Sequence, residues 1–259
     1  LAWYAGRTLS QITYVTLADG RRQERRLPLL FRLLLPLAPN LQPLFQRPLF
    51  RRMRAQVDRR LTAAGFEGLL GAGEWLALRV LCPLVVGPPL MLLLRGYAGV
   101  LPGRLGAGMV RHQWLLHGAA LLALYACPAL WLKRILRTRH RRIALALPYV
   151  LDLLTLSVEA GLDFMSALKR IIDRRRVDPL GEELIRMFRE VQVGRTRREA
   201  LRTMAERSMH PDLSSVSHAL VQADELGVGI ATVLRIQADQ MRVRRFQRAE
   251  KLANEAPLK

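Results

Sequence analysis

Two apolar runs of about twenty residues constrain this chain more than any other feature. The first is Trp75 to Leu94, WLALRVLCPLVVGPPLMLLL, and the second is Trp114 to Leu132, WLLHGAALLALYACPALWL. At about 1.5 Å of rise per residue, each helix would be roughly 30 Å long, the thickness of a bilayer's hydrocarbon core. Arg79 interrupts the first run close to its start, where its side chain is expected to snorkel toward head groups. Pro83, Pro88 and Pro89 are expected to kink that helix without forbidding it. The second run carries no formal charge, only His117 near one end. Trp75, Trp114 and Trp131 fall at the ends of the runs, where indole rings favour the interface. A pair of buried core helices is the competing reading; two such lengths flanked by arginine are uncommon in soluble folds.

The charge distribution agrees with a membrane hairpin. The formal net charge is +20, but residues 1–142 hold 22 Lys and Arg against 5 Asp and Glu, whereas residues 143–259 hold 19 against 16. A nucleic-acid module would concentrate its basic excess on a folded face. Here the excess flanks the apolar runs: Arg51, Arg52, Arg54, Arg59 and Arg60 before the first, and Lys133, Arg134, Arg137, Arg139, Arg141 and Arg142 after the second. The connection 95–112 holds only Arg95, Arg104 and Arg111. Both flanks are therefore expected on the cytoplasmic side. The arginines can also meet anionic lipid. Cys82 and Cys127 both lie in apolar runs, which excludes a disulfide scaffold and a thiolate zinc cluster.

Residues 1–70 read as a cytoplasmic N-terminal arm. The segment Leu1 to Ala5 fits either the tail of an earlier membrane helix or a loop. No cleavable signal peptide is visible. Residues 27–49 mix leucines with five prolines and read as packed irregular or interfacial segments, and 49–64 read as an amphipathic helix closed by Gly65. Residues 71–132 form the hairpin.

From residue 143 to about 256 the chain reads as six helices with short connections, an all-α bundle. The first runs over about 143–160 and stops at Gly161. Asp163 caps a second over 164–175. Asp178 and Pro179 open a third that ends at Gly194. Thr196 and Glu199 have capping-box spacing before a fourth. A fifth covers about 212–226 and stops at Gly227, and the last runs from about 230 to 255.

Motifs for chemistry are missing. There is no phosphate-cradling loop followed by Lys and Ser or Thr, no HExxH, no GxSxG, and no GxGxxG opening a helix. His112, His117, His140, His210 and His218 show no metal-ligand spacing. His210, before Pro211, reads as a loop residue and His218 as polar surface. No enzyme activity, cofactor or metal is expected. Asp152 and Glu159 stand out, because they lie seven apart on the most apolar helix, hence near the same face. Two readings are open for them: a structural ion pair with arginines of the bundle, or contact with a partner. Arg242, Arg244, Arg245, Arg248 and Lys251 cover more than one side of the last helix, as either a helix end approaching the membrane or a docking surface for an acidic partner.

Leu147-Pro148-Tyr149-Val150-Leu151-Asp152-Leu153-Leu154, followed by Val158-Glu159-Ala160-Gly161-Leu162, resembles the opening of the type II secretion F domain. More narrowly it is similar to TadC-type proteins of tight-adherence (Flp) pilus systems, the Glu-Ala-Gly triplet favouring that type over the TadB paralogue. Glu183 to Gly194, Arg198 to Leu201, Gln222 to Gly227, Leu234 to Arg245 and Arg248 to Ala253 continue the resemblance over about 145–259. Ala256-Pro257-Leu258-Lys259 looks like the motif that leads into another membrane helix, so the resemblance implies one beyond Lys259, and Leu1, not a methionine, implies an earlier start.

The resemblance implies a multi-pass platform in a bacterial inner membrane, with the bundle in the cytoplasm. Its implied partners are a hexameric secretion ATPase, a TadB-like paralogue, pilin, membrane lipid and further copies in an oligomer, with no nucleic acid. The residues singled out as partner contacts or scaffold are Asp152, Glu159, Gly161, Glu225, Gly227, Arg242, Arg245, Glu250 and Lys259. A small-molecule transporter or channel is the alternative. It would need facing polar groups at mid-bilayer, which the two runs hardly offer.

Overall fold

The computed structural model describes residues 14–16, 22–24, 28–38, 45, 48–100, 113–175 and 177–255. Among the described residues the regular structure is helical except for a small antiparallel hairpin of strands β1 (Tyr14–Thr16) and β2 (Arg22–Glu24), with Val15 opposite Gln23. The sequence reading had no strand there. Its alternatives for Leu1 to Ala5 fall outside the described residues, as does the segment 101–112. The structure divides between Leu136 and Arg137 into two compact units.

The first unit contains α1 (Leu29–Leu34), α2 (Arg51–Ala63), α3 (Ala72–Val100) and the beginning of α4 (Gln113–Glu159). Short 3-10 turns at Leu35–Leu37 and Pro48–Phe50 occupy the proline-rich stretch. Helix α2 is amphipathic as expected: Val57 and Leu61 are buried while Arg51, Arg52, Arg59 and Arg60 face out. The buried residues pack with Phe31, Leu34, Phe66, Trp75, Leu78 and Leu132. Burying each such side chain contributes about 1.5–3 kcal/mol.

Trp75 and Trp131 are not interfacial anchors as expected. Trp75 is 1% exposed, its ring stacked 5.7 Å from that of Trp131, and Phe31 meets both edge-on at 5.9 and 5.2 Å. Aromatic quadrupoles favour such offset and edge contacts. Trp114 remains 80% exposed, where an interfacial indole belongs.

Helix α3 runs through Pro83, Pro88 and Pro89 and extends to Val100, beyond the expected end at Leu94. Helix α4 merges the expected second span and the expected first bundle helix into one element of 47 residues. Nothing between 133 and 142 breaks it, because Lys, Arg, Ile and Leu are all good or tolerable helix formers. Both α3 and α4 are long and apolar enough to cross a membrane. A soluble core helix would be mostly buried, yet only 33% of the most apolar window of α3 and 11% of that of α4 are covered by protein.

The second unit is the bundle. It comprises the latter part of α4, α5 (Phe164–Arg174), α6 (Pro179–Gln192), α7 (Arg197–Ser208), α8 (Pro211–Leu226) and α9 (Ile230–Glu255). The caps are those the sequence announces. Asp163 Oδ2 accepts from the Met165 amide, Asp178 Oδ1 from the Gly181 amide, and Thr196 with Glu199 forms a capping box. At the end of α4 the Leu162 amide donates to the Ser157 carbonyl and that of Gly161 to Val158, a reversal that needs the left-handed φ of +90° at Gly161. One continuous core results, with Leu147, Leu151 and Leu154 of α4 against Leu168, Leu184, Met204, Leu220 and Leu234.

Candidate functional site

The expected carboxylates of α4 lie at its seam with α9. Arg242 Nη2 donates to Asp152 Oδ1 at 2.5 Å, and Arg235 Nη2 lies 2.5 Å from Glu159 Oε1. Seven residues separate the carboxylates on α4 and seven separate the arginines on α9, in reverse order. The helices are thus riveted antiparallel at two points two turns apart. Arg242 also bonds Asp239 of its own helix at 3.2 Å. The sequence suggested charges stranded among leucines. Helical phase instead turns Leu151 and Leu154 inward and leaves Asp152 and Glu159 at the rim, their side chains 36% and 31% exposed. Such rim pairs contribute about 0–1 kcal/mol each.

The remaining candidates do not gather into one site. Glu225, near the end of α8, accepts from Arg202 of α7 at 2.5 Å, beside an Arg197–Asp224 pair. Gly227 ends α8 at φ +68°, its amide bonded to the Ala223 carbonyl. Arg244 reaches Asp212 at 3.1 Å, so the basic residues of α9 divide between two seams. Arg245 and Glu250 are exposed and make no ion pair among the described residues. Lys259 lies outside the described residues.

The most tightly held polar group is one the sequence reading took for topology signal. Arg139 is 4% exposed and donates to Glu182 at 2.5 Å and Glu183 at 3.0 Å, both carboxylates being 1% exposed. Arg207 donates to Glu183 at 2.8 Å and to Glu190 at 2.6 Å. Burial works against the charge of Arg207, and the Glu183 and Glu190 carboxylates more than offset it, holding its proton above the usual arginine range. Helices α4, α6 and α7 are thereby tied through one buried ionic network. A signal was present: Arg139, Ile143 and Leu147 repeat every four residues, which puts Arg139 on the inward stripe.

Next to the network, His140 Nε2 stands 3.0 Å from the Ser208 carbonyl, and its ring meets that of His210 edge-on at 5.2 Å. His210 is buried and caps α8, Nδ1 accepting from the Leu213 amide, where a plain loop residue was expected. His218 is exposed, as read. Among the described residues no group of three or more His, Cys, Asp or Glu is placed to hold a metal ion. A void of about 30 Å³ in the bundle core has only apolar surface, although the unbonded Ser217 hydroxyl belongs to its lining. Among the described residues the ion pairs and caps brace the bundle.

These features define a class, a braced α-helical bundle continuous in sequence with two helices of membrane-spanning length. Within that class, residues 150–258 match the family model of type II secretion system (T2SS) protein F. The match begins inside α4 and covers α5 to α9. Proteins of that family are inner-membrane platform components of type II secretion and type IV pilus systems. No curated protein and no solved structure matches the chain.

Proposed function

We propose that this protein is an inner-membrane platform subunit of a tight-adherence (Flp) type pilus, or of the related secretion machine, and that its bundle couples a hexameric secretion ATPase to pilin movement. The observation that carries the reading is the F-domain match on a bundle whose first helix begins in an apolar run of membrane-spanning length. The Val158-Glu159-Ala160-Gly161 sequence supports the TadC type. In this reading residues 1–70 and 133–259 share the cytoplasmic side, as their arginine flanks favour. Motion enters at the bundle and reaches the bilayer along α4, which the buried Arg139 network clamps to α6 and α7. The chain is a scaffold and transmitter, hydrolysing nothing and binding no nucleotide, and it works beside a TadB-like paralogue in an oligomer.

The test is isolation of the tagged full chain from native membranes in mild detergent. Recovery of a hexameric secretion ATPase and a paralogue at fixed ratio is the expected result. Recovery of neither from membranes that retain both would overturn the proposal, and substrate flux through vesicles holding the chain alone would favour a transporter.

A further inference from the structure

The apolar pair α3 and α4 holds a permanent charge, Arg79, that no described residue neutralises. Arg79 sits four residues past Trp75, and its guanidinium carbon lies 4.5 Å from the ring centroid of Tyr125 on α4. The expected snorkelling is not what this side chain does. Tyr125 is seven residues inside the apolar run that ends at Leu132, roughly 10 Å of helix, so the guanidinium is drawn sideways over a ring at membrane depth. Its Nε is buried without an acceptor, and Arg79 has no hydrogen bond or ion pair among the described residues. From Trp75 to Leu151 the sequence contains no Asp or Glu. Charges in membrane segments are costly and sit against partners or water.

We propose that Arg79 and Tyr125 form a receptor for a carboxylate carried within the membrane-spanning helix of a partner protein. Tyr125 takes one face of the guanidinium through a cation–π contact, which leaves the Nη edge of a half-buried side chain for a planar bidentate acceptor. Charge complementarity fixes the occupant. Between Trp75 and Leu151 a second copy offers no carboxylate either, so α3 and α4 of another copy cannot supply the acid. A lipid phosphate would have to descend about two helical turns below the level of Lys133 to reach the ring. The inference rests on the membrane-spanning part of the function proposed above and adds the chemistry of what docks there.

The test uses the full chain in phosphatidylcholine vesicles. The probe is a synthetic Leu/Ala membrane-spanning peptide with one Glu two turns from its end, compared with the same peptide carrying Gln. Association is read by energy transfer at about pH 8, where a model glutamate is ionised. The Glu peptide is expected to associate about tenfold more tightly than the Gln peptide, in the range of polar contacts between membrane helices. Arg79→Leu, which removes a charge and leaves an apolar helix, abolishes that preference; Tyr125→Phe keeps it and Tyr125→Leu weakens it. Equal association of the two peptides, or a preference that survives Arg79→Leu, overturns the proposal. So does a preference that vanishes when phosphatidylglycerol is added, which assigns the site to lipid phosphate. A chain that washes off the vesicles in alkaline carbonate overturns the membrane reading and this inference together, whereas a retained chain without preference overturns this inference alone.

Discussion

Replacing Arg139 by Met separates the buried ionic network from the rim pairs by magnitude. In the native bundle its guanidinium contacts Glu182 and Glu183 at 2.5 and 3.0 Å, with all three side chains at 3% exposure or less. Removing the cation leaves two carboxylates in a dry place with Arg207 as the remaining strong donor to Glu183. Removing one member of a buried pair costs about 3–5 kcal/mol, a large share of the ~5–15 kcal/mol that holds a domain together. At roughly 3–5 °C per kcal/mol for a unit of this size, the melting temperature falls by about 10–20 °C. Asp152→Asn and Glu159→Gln, whose arginine partners are 60% and 64% exposed, lose under about 1 kcal/mol and shift the melt by only a few degrees. The assay is thermal melting by circular dichroism of a 137–259 fragment, which keeps Arg139; a cut at 143 would discard it. Equal shifts for Arg139→Met and Asp152→Asn, or an unchanged melt for Arg139→Met, would refute the reasoning.

Further expectations concern topology, chemistry, pH and packing. In a chain with Cys82 and Cys127 replaced by Ala, a cysteine at Gly103 is labelled from outside intact cells and one at Val193, which is 87% exposed, is not; labelling at Val193 contradicts the orientation. The purified chain hydrolyses no ATP, and a stoichiometric rate that resists further purification would remove the scaffold reading. Hydrogen bonds from Thr196 hold the Glu199 carboxyl below its ordinary value of 4.5, so this cap adds stability at neutral pH that is lost as pH falls through the depressed value. Glu199→Ala therefore melts below wild type at neutral pH, with a gap that narrows in acid; a gap independent of pH contradicts it. A Cβ at Gly87 would stand 2.9 Å from Leu121 Cδ2, the mobile end of a side chain, so Gly87→Ala is tolerated while Gly87→Phe reduces detergent-resistant folding; equal behaviour of the two contradicts the close approach.

Local signals carried most of the bundle into the sequence. Capping residues and terminal glycines act within a few positions, so Asp163, Asp178, Thr196, Gly161 and Gly227 announced their helices. What was hidden depended on distant parts of the chain. The arginines 133–142 read as one topology signal, yet Arg139 alone turns inward, because Glu182 and Glu183 from a later helix are there to receive it. Trp75 and Trp131 read as membrane anchors, since nothing local reveals that they stack on one another and that Phe31 packs edge-on against both. The continuity of α4 was missed because a change from apolar to basic residues looks like a boundary, although backbone hydrogen bonding is indifferent to it. Pairing of Asp152 and Glu159 with arginines of the same bundle was foreseen as one of two readings; their exposed rim position was not, because it depends on where α9 lies.

The central claim is that a membrane-embedded chain presents this bundle to a secretion ATPase. Flotation of the purified ATPase with vesicles containing the full chain tests it most directly. The account predicts that the ATPase floats with chain-bearing vesicles and stays behind with empty ones, and that added soluble bundle 137–259 releases it. An ATPase that remains at the bottom of the gradient while the folded chain floats would contradict it.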